Sequence, residues 1–439
     1  LVVLALIVAM FAVFGADAGA ALTYEYEVVK MLLATGVCML CMHYYDLYDS
    51  MVLHSFAQMT IRIVQVFGTV CLILAFLYYV YPVFRLNKDL LIVWVFLAGV
   101  SLIVCRKFFL ALNRSVGLIQ RTLLVGAGPL AGVLAREIES RPELGIDLVG
   151  YVGSEPGREG ELQNLSYLGT PDRLRGLLQR HRIQRVVVTG VDCRGCSREA
   201  LLEKEAQGVI VEDGSKLYEA VAGRVDLSAL HPDTILLPER FRISPTLIYK
   251  RAASIILSSI GLLLSLPIMA LTAIVIKLDS RGPAIFRQKR VGKDGKPFIL
   301  YKFRTMREDA DSGGKTKPAL NNDGRVTRVG RWLRHSRIDE FPQLFNILRG
   351  DMYLIGPRPF ALDEEEELAQ QIPFYSKRWT VKPGATGWAQ VRRGYNATLD
   401  DNVEKLSYDL YYIKNLSVGL DFLILFETVK ILLLGRGGR

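Results

Sequence analysis

The stretch RAASIILSSIGLLLSLPIMALTAIVIKLDSRG, which begins at Arg251, limits the fold more than any other. Its apolar part, 252–276, is long enough to cross a bilayer, for which ~20 apolar residues suffice. Yet Lys250 and Arg251 flank one end, and Lys277 and Arg281 flank the other. Basic flanks favour the cytoplasmic side, so both ends ask for the same face. Pro267 lies at the middle, cannot donate to the helix ladder and favours a kink. A helix over 252–277 that dips in, breaks at Leu266-Pro267 and returns satisfies both facts. A straight span would put the basic segment that follows outside the cell.

Further apolar runs precede residue 112, at 1–14, 28–44, 63–82 and 90–105. They predict four transmembrane helices within 1–111, the second weakened by Lys30 and Glu27. The chain begins inside the first run, so we expect its natural start to lie upstream. Tyr44, Tyr45, Tyr79 and Tyr81 sit near segment ends, as interfacial aromatics do. Arg106, Lys107, Arg114 and Arg121 follow the last run and predict that everything beyond is cytoplasmic; Arg85 and Lys88 pull the other way. A net charge of +10 on a chain that is 51% hydrophobic suggests anionic headgroups or phosphorylated substrates. The basic residues are not interleaved with aromatics in one block, which argues against nucleic acid. Cys193 and Cys196 form a CxxC with no second pair, so zinc is not expected.

Residues 119–240 change character. RTLLVGAGPLAGVLAREIESRPELGIDLVGYVG reads strand, Gly-rich turn, helix, strand, with RVVVTG and GVIVED as further buried strands. This alternation predicts a parallel sheet in a Rossmann-like α/β domain. Gly126 and Gly128 open a GxGxxA turn where a dinucleotide fingerprint would sit. The second strand ends in Val152-Gly153, with no acid to hold a ribose. Two readings stay open: a bound nucleotide, or a scaffold that keeps the fold and supports a homodimer.

The third region, 246–439, reads as α-rich and basic. RQKRVGK is followed by YKFRTM, and Arg325, Arg328, Arg331, Arg334 and Arg337 then recur every third residue. RHSRIDEFPQLFNILRGDMYLIGPRP places Asp339 and Glu340 side by side. Pro342 suits a first helical turn, and Gly350 suits a stop. Asp339 reads either as an N-cap or as a carboxylate kept ionised by a helix terminus and arginines. An ionised carboxylate among cations can attack phosphorus and form an acyl phosphate. Cations and a divalent metal would shield the transferred charge. Lys302, Arg304, Arg334 and Arg358 are candidate phosphate ligands. The loop KPGATGWAQV adds Lys382, Gly384, Thr386 and Gly387. DEEEE (363–367) reads as a solvated helix face, and Val418 to Leu434 as an interfacial helix.

IDEFPQLFNILRGDMYLIGPRP, KPGATGWAQV and the earlier RQKRVGKDGKPFILYKFRTM together resemble the bacterial sugar transferase family. These are polyprenyl-phosphate sugar-1-phosphate transferases, and the resemblance covers about 246–439. The upstream part is similar to the larger members, with four membrane helices and a nucleotide-binding-like domain. The resemblance implies a monotopic catalytic domain on the cytoplasmic face of the bacterial inner membrane. It implies a UDP-sugar donor, undecaprenyl phosphate as acceptor, and exopolysaccharide or capsule initiation. It implies Asp339 as nucleophile, Glu340 as its partner, and Mg²⁺ held by the pair. Many small members carry Ser-Pro at the helix break, where this chain has Leu266-Pro267. The alternative function is a membrane-anchored sugar-nucleotide oxidoreductase or epimerase using NAD at the GxGxxA turn.

Overall fold

The computed structural model describes residues 1–19, 27–45, 47, 56–115, 119–141, 144–155, 162, 165–189, 208–227, 245–307, 323–393 and 398–433. Cys193 and Cys196 lie outside these residues. The chain forms two compact units, Leu1–Asp213 and Gly214–Arg439.

The first unit opens with helices α1 (Val2–Phe14), α2 (Glu27–Tyr44), α3 (Phe56–Val80) and α4 (Lys88–Ser115). These are the four expected apolar helices. Segments Glu27–Tyr44, Thr60–Val80 and Lys88–Cys105 are long and apolar enough to cross a membrane, and α1 is a shorter apolar helix. α3 stops at Val80 because Pro82 disfavours helix at the residue before it. Small and large apolar residues pack one cluster, including Leu6, Ala9, Cys38, Val66 and Trp94. Trp94 donates its indole N–H to the carbonyl of Val2 at 3.1 Å, satisfying a polar group inside that cluster. Lys30 is buried, and its ammonium pairs with Glu27 at 2.9 Å one helical turn earlier. The pairing removes the objection that an isolated charge raised against α2.

Strands β1 (Gln120–Val125), β2 (Ile146–Val152), β3 (Tyr167–Gly169), β4 (Arg185–Val188) and β5 (Ile210–Asp213) form one sheet. Its order is β3-β2-β1-β4-β5, and every pairing is parallel. Helix α5 (Pro129–Glu139) follows β1, and α6 (Leu174–Arg180) precedes β4. The alternation expected from sequence is therefore present. Gly126 has φ 118°, a conformation side chains resist, and Gly128 leads into α5 with Pro129 at its first position. A Cβ at Gly153 would lie 3.0 Å from that of Ala127, so the turn packs tightly on the end of β2.

The second unit begins with α7 (Gly214–Ala222) and continues, after α8 (Pro245–Asp279), into the antiparallel pair β6 (Ile285–Val291) and β7 (Pro297–Phe303). Helices α9 (Arg328–His335) and α10 (Gln343–Arg349) flank the acid pair. Strand β8 (Tyr353–Ile355) pairs in parallel with β9 (Gly384–Thr386). The rest is α11 (Leu362–Gln371), α12 (Trp388–Arg392), α13 (Leu399–Lys414) and α14 (Val418–Leu433).

α8 is one continuous helix through Pro267, so the expected break does not divide it into two elements. Pro267 withholds the N–H that the Leu263 carbonyl would accept. Close by, the Ser265 hydroxyl donates to the Leu262 carbonyl at 3.3 Å. Both halves of α8 lie against the same unit. Arg251 donates to the carbonyls of Ile347 and Leu348 at 2.6 and 2.7 Å. Beyond the proline, Met269, Ala273 and Ile276 pack with Phe303, Leu333 and Ile338. Its other face exposes Leu263, Leu264, Leu271 and Leu278.

α14 turns the usual amphipathic pattern inside out. Asp421 and Lys430 are buried, whereas Phe422, Val429 and Leu432 are exposed. Lys250 of α8 contacts both Asp421 oxygens at 2.9 Å, bonds the Tyr412 hydroxyl, and reaches the Ile355 carbonyl at 3.3 Å. Asp421 and Lys430, which interrupt the apolar tail, therefore face protein beside the buried Ile424, while Phe422, Val429 and Leu432 face outward.

Candidate active site

Asp339 and Glu340 lie on a single 3-10 turn, Ile338–Glu340, between α9 and α10. Arg337 enters that turn with φ 58°, a left-handed conformation that costs a non-glycine residue about 1–3 kcal/mol. Neither acid caps α10 through its side chain, which removes the N-cap reading of Asp339. Asn346 fixes the turn to β7: its side chain accepts from the Tyr301 N–H at 3.0 Å and donates to the Ile299 carbonyl at 2.7 Å. The same strand thereby presents Lys302.

The two carboxylates have different surroundings. Glu340 takes Lys302 at 3.0 Å and Arg358 at 2.9 Å on one oxygen, and Arg337 lies 3.9 Å from the other. Burial alone would raise the Glu340 carboxyl, but Lys302, Arg358 and Arg337 outweigh it and hold the group well below the ordinary range. Asp339 is 8% exposed. Among the described residues its carboxylate makes no hydrogen bond or ion pair. Burial pushes its pKa up; Lys302 pulls it down, Glu340 pushes it up again, and Arg334 and Arg358 pull it down. The cations expected around Asp339 are thus in direct contact with Glu340 and act on Asp339 at longer range. One carboxylate is anchored by cations, and among the described residues its neighbour is not.

Arg358 owes its position to a buried ionic cluster. Arg378 donates to the Arg358 carbonyl at 2.9 Å, to Asp409 at 2.8 Å and to Glu365 at 3.3 Å. Glu365 also accepts from the Trp379 indole at 2.9 Å and the Phe360 N–H at 3.2 Å. Glu365 is 2% exposed, so DEEEE is not a solvated face throughout. It has an anchoring residue on its inner side. Burial raises the Asp409 carboxyl to about 6, against the pull of Arg378. Sequence reasoning missed Arg378 and Asp409; an isolated Arg in YSKRWT and an Asp within an amphipathic helix carry no local signal.

The Gly-rich loop has a structural explanation. A Cβ at Gly384 or Gly387 would overlap the backbone of Gly356, and one at Gly356 would lie 2.6 Å from the Lys382 carbonyl. Gly384 N–H donates to the Pro357 carbonyl, and Gly356 N–H to that of Thr386, each at 2.9 Å. The loop closes against the GPRP turn and presents Arg358 to the dyad. Thr386 shares its hydroxyl with Thr428 at 2.7 Å. Lys382 donates to the Gly350 carbonyl at 2.7 Å, at the far end of α10. A helix of that length spans roughly 10 Å, which separates Lys382 from the dyad. Of the candidate ligands, Lys302 and Arg358 meet the dyad directly. Arg334 bonds the Thr305 hydroxyl at 2.8 Å and acts on Asp339 electrostatically. Arg304 anchors on Ser280. Leu266 and Pro267 lie within α8, and Gly126 and Gly128 belong to the other unit.

Mg²⁺ binds through one or two carboxylates plus substrate phosphates and water. The dyad fits that mode: among the described residues the Asp339 carboxylate makes no hydrogen bond or ion pair, and the second Glu340 oxygen has Arg337 at 3.9 Å. Among the described residues no group of three or more potential ligands forms a cage supplied by protein alone.

The chain is similar to known proteins over much of its length. Residues 245–435 match the family model described as bacterial sugar transferase, and 43–189 match a CoA-binding domain model. A UDP-N-acetylgalactosamine-undecaprenyl-phosphate N-acetylgalactosaminephosphotransferase of Aeromonas hydrophila is 45% identical over 227 residues. That alignment takes in 51% of this chain and 52% of the relative, about half of each. A UDP-glucose:undecaprenyl-phosphate glucose-1-phosphate transferase of Escherichia coli K12 is 33% identical over 346 residues, 76% of this chain and 73% of that one. An exopolysaccharide production protein of Rhizobium leguminosarum is 40% identical over 192 residues, 42% of this chain and 94% of the relative.

Proposed function

This chain belongs to the bacterial sugar transferase family and is membrane-associated, and from that premise we propose that it moves a sugar-1-phosphate from a UDP-sugar to undecaprenyl phosphate, releasing UMP. The observation that supports this reading most is the contrast within the dyad. Asp339 is buried and, among the described residues, unpartnered, while Glu340 holds the cations.

An Asp339 oxygen attacks the phosphorus that carries the sugar. The bond from that phosphorus to the UMP oxygen breaks, and UMP leaves with the electron pair. The product is an acyl phosphate on Asp339. A phosphate oxygen of the acceptor then attacks the same phosphorus, and the electron pair returns to Asp339. Lys302 and Arg358, fixed by Glu340, lie beside the transferred group and stabilise its charge without reorganising. Asp339 and Glu340 would hold Mg²⁺, which when bound neutralises diphosphate charge.

We place the catalytic unit at the cytoplasmic face of the inner membrane, with α8 entering and leaving the bilayer on one side. Residues on both sides of Pro267 pack against this unit, which supports that path over a perpendicular span. The sugar is not fixed by these residues; relatives act on N-acetylgalactosamine and glucose donors.

Donor alone should leave a sugar-phosphate mass on the peptide carrying Asp339, and Asp339→Asn should abolish both that adduct and lipid product. Near-normal turnover by the folded Asn variant would refute the assignment.

A further inference from the structure

The GPRP turn that carries Arg358 has few ways to be held. Arg358 lies between Pro357 and Pro359, so of these three residues it alone has a backbone N–H. Carbonyls are the other backbone handles, and each is taken by a different segment. Pro357 accepts from the Gly384 N–H at 2.9 Å, Arg358 from Arg378 at 2.9 Å, and Pro359 from Nη1 of Arg290 at 3.1 Å. Two of these three donors are guanidiniums, whose charge-assisted bonds are the stronger kind.

Arg290 comes from β6. Its Nη2 donates to the side-chain carbonyl of Gln288, and its Nε is buried without an acceptor. A guanidinium left unmet at Nε is a poor device for stability alone. Burial, and next the Arg358 charge, lower its pKa to about 10, against the pull of Glu364, Glu365 and Asp363. Arg290 is therefore cationic near neutral pH, with the acid run of α11 opposing its charge. Phe286 pairs across the hairpin with Lys302, and Arg290 lies four residues further along β6. The two-residue period of a strand puts Arg290 and Lys302 on one face. Lys302 and Arg358 meet the same Glu340 oxygen, at 3.0 and 2.9 Å.

We propose that Arg290 is a positioning residue for the transfer: by holding the Pro359 carbonyl it fixes Arg358, so that one hairpin, β6–β7, sets both cations that meet at Glu340. This rests on the transferase reading and deepens it by naming what keeps those cations in place. Lys302 is presented by β7 directly, and Arg358 is presented through the clamp from β6. Arg290 touches neither carboxylate of the dyad and acts through Arg358.

The test is a double-mutant cycle on the full chain in nanodiscs, reading UMP release with undecaprenyl phosphate and either UDP-glucose or UDP-N-acetylgalactosamine, whichever the unsubstituted chain turns over. Its corners are the unsubstituted chain, Arg290→Met, Arg358→Met and the pair. Losing a charge-assisted contact that orients Arg358 predicts kcat lowered roughly 10- to 100-fold in Arg290→Met, with donor KM moving less than kcat. In the Arg358→Met background the same change should cost less than about 3-fold, because the residue it positions is gone. Arg290→Lys keeps a charged donor and should fall between Arg and Met. The same cycle run with Lys reads the coupling if Arg290→Met does not fold. Equal losses in the two backgrounds would show a general structural role and overturn the proposal, as would an unchanged kcat in Arg290→Met or a Lys variant no better than Met. The half-life at elevated temperature, measured on all corners, reads stability separately: a shortened half-life with kcat intact also overturns it. If the unsubstituted chain releases no UMP from either donor, the transferase reading fails instead, and that is read before any variant is made.

Discussion

Replacing Lys250 with Met should destabilise the second unit far more than replacing Lys250 and Asp421 together. Lys250 and Asp421 side chains are 5% and 7% exposed and meet at 2.9 Å. Burial, reinforced by Asp421, pushes the Tyr412 hydroxyl far above its ordinary range, so it remains a donor to Asp421 at 2.8 Å and cannot replace the lost cation. Lys250→Met then strands a carboxylate in apolar surroundings, at a cost of ~3–5 kcal/mol. Lys250→Met with Asp421→Leu removes both charges and, by the same reasoning, lies between neutral and ~1–4 kcal/mol more stable. Membrane proteins often unfold irreversibly, so the assay is the half-life of UMP release at a fixed elevated temperature. If the whole loss falls on the unfolding step, the single variant inactivates at least ~100-fold faster, since each ~1.4 kcal/mol is tenfold. The double variant should match or outlast the starting protein. Additive effects, within ~0.5 kcal/mol, would show that the two charges do not act as a pair and that α14 docks by apolar contact alone.

Two further outcomes follow from the dyad and the membrane helix. Because burial raises the Asp339 carboxyl, kcat/KM should fall on the acid side at a pH above the ordinary aspartate value of ~3.9. Lys302 lowers that pKa, so Lys302→Met should move the acid limb further up, whereas an unmoved limb would mean that another group titrates. Single cysteines at Ile248 and Arg281, on either side of the apolar stretch, should both react with an impermeant thiol reagent from the cytoplasmic side of oriented vesicles. Opposite sidedness would make α8 a full span.

What could be read in advance was whatever repeats or stands adjacent in the chain. Apolar runs gave the helices, strand-helix alternation gave the parallel sheet, and IDE within a basic region pointed to the acid pair that the structure sets among cations. Long-range polar partners were not readable. Glu340 is completed by Lys302 and Arg358, and Arg358 by Arg378, from segments far apart in sequence. The Gly-rich loop was ambiguous for a physical reason. A composition suited to phosphate binding also suits close backbone packing, and here the neighbour is Gly356. Charge in the apolar tail was equally ambiguous until Lys250 supplied a partner for Asp421.

α7 belongs by packing to the unit that carries the dyad. The Trp388 indole donates to the Gly223 carbonyl at 2.7 Å, Arg224 pairs with Glu404 at 2.7 Å, and Lys414 with Glu219 at 2.7 Å. A truncation begun at the membrane helix would leave that indole without its acceptor and expose the floor beneath α12. The shortest autonomous enzyme should instead start near Gly214, carrying a short helix that contributes no chemistry.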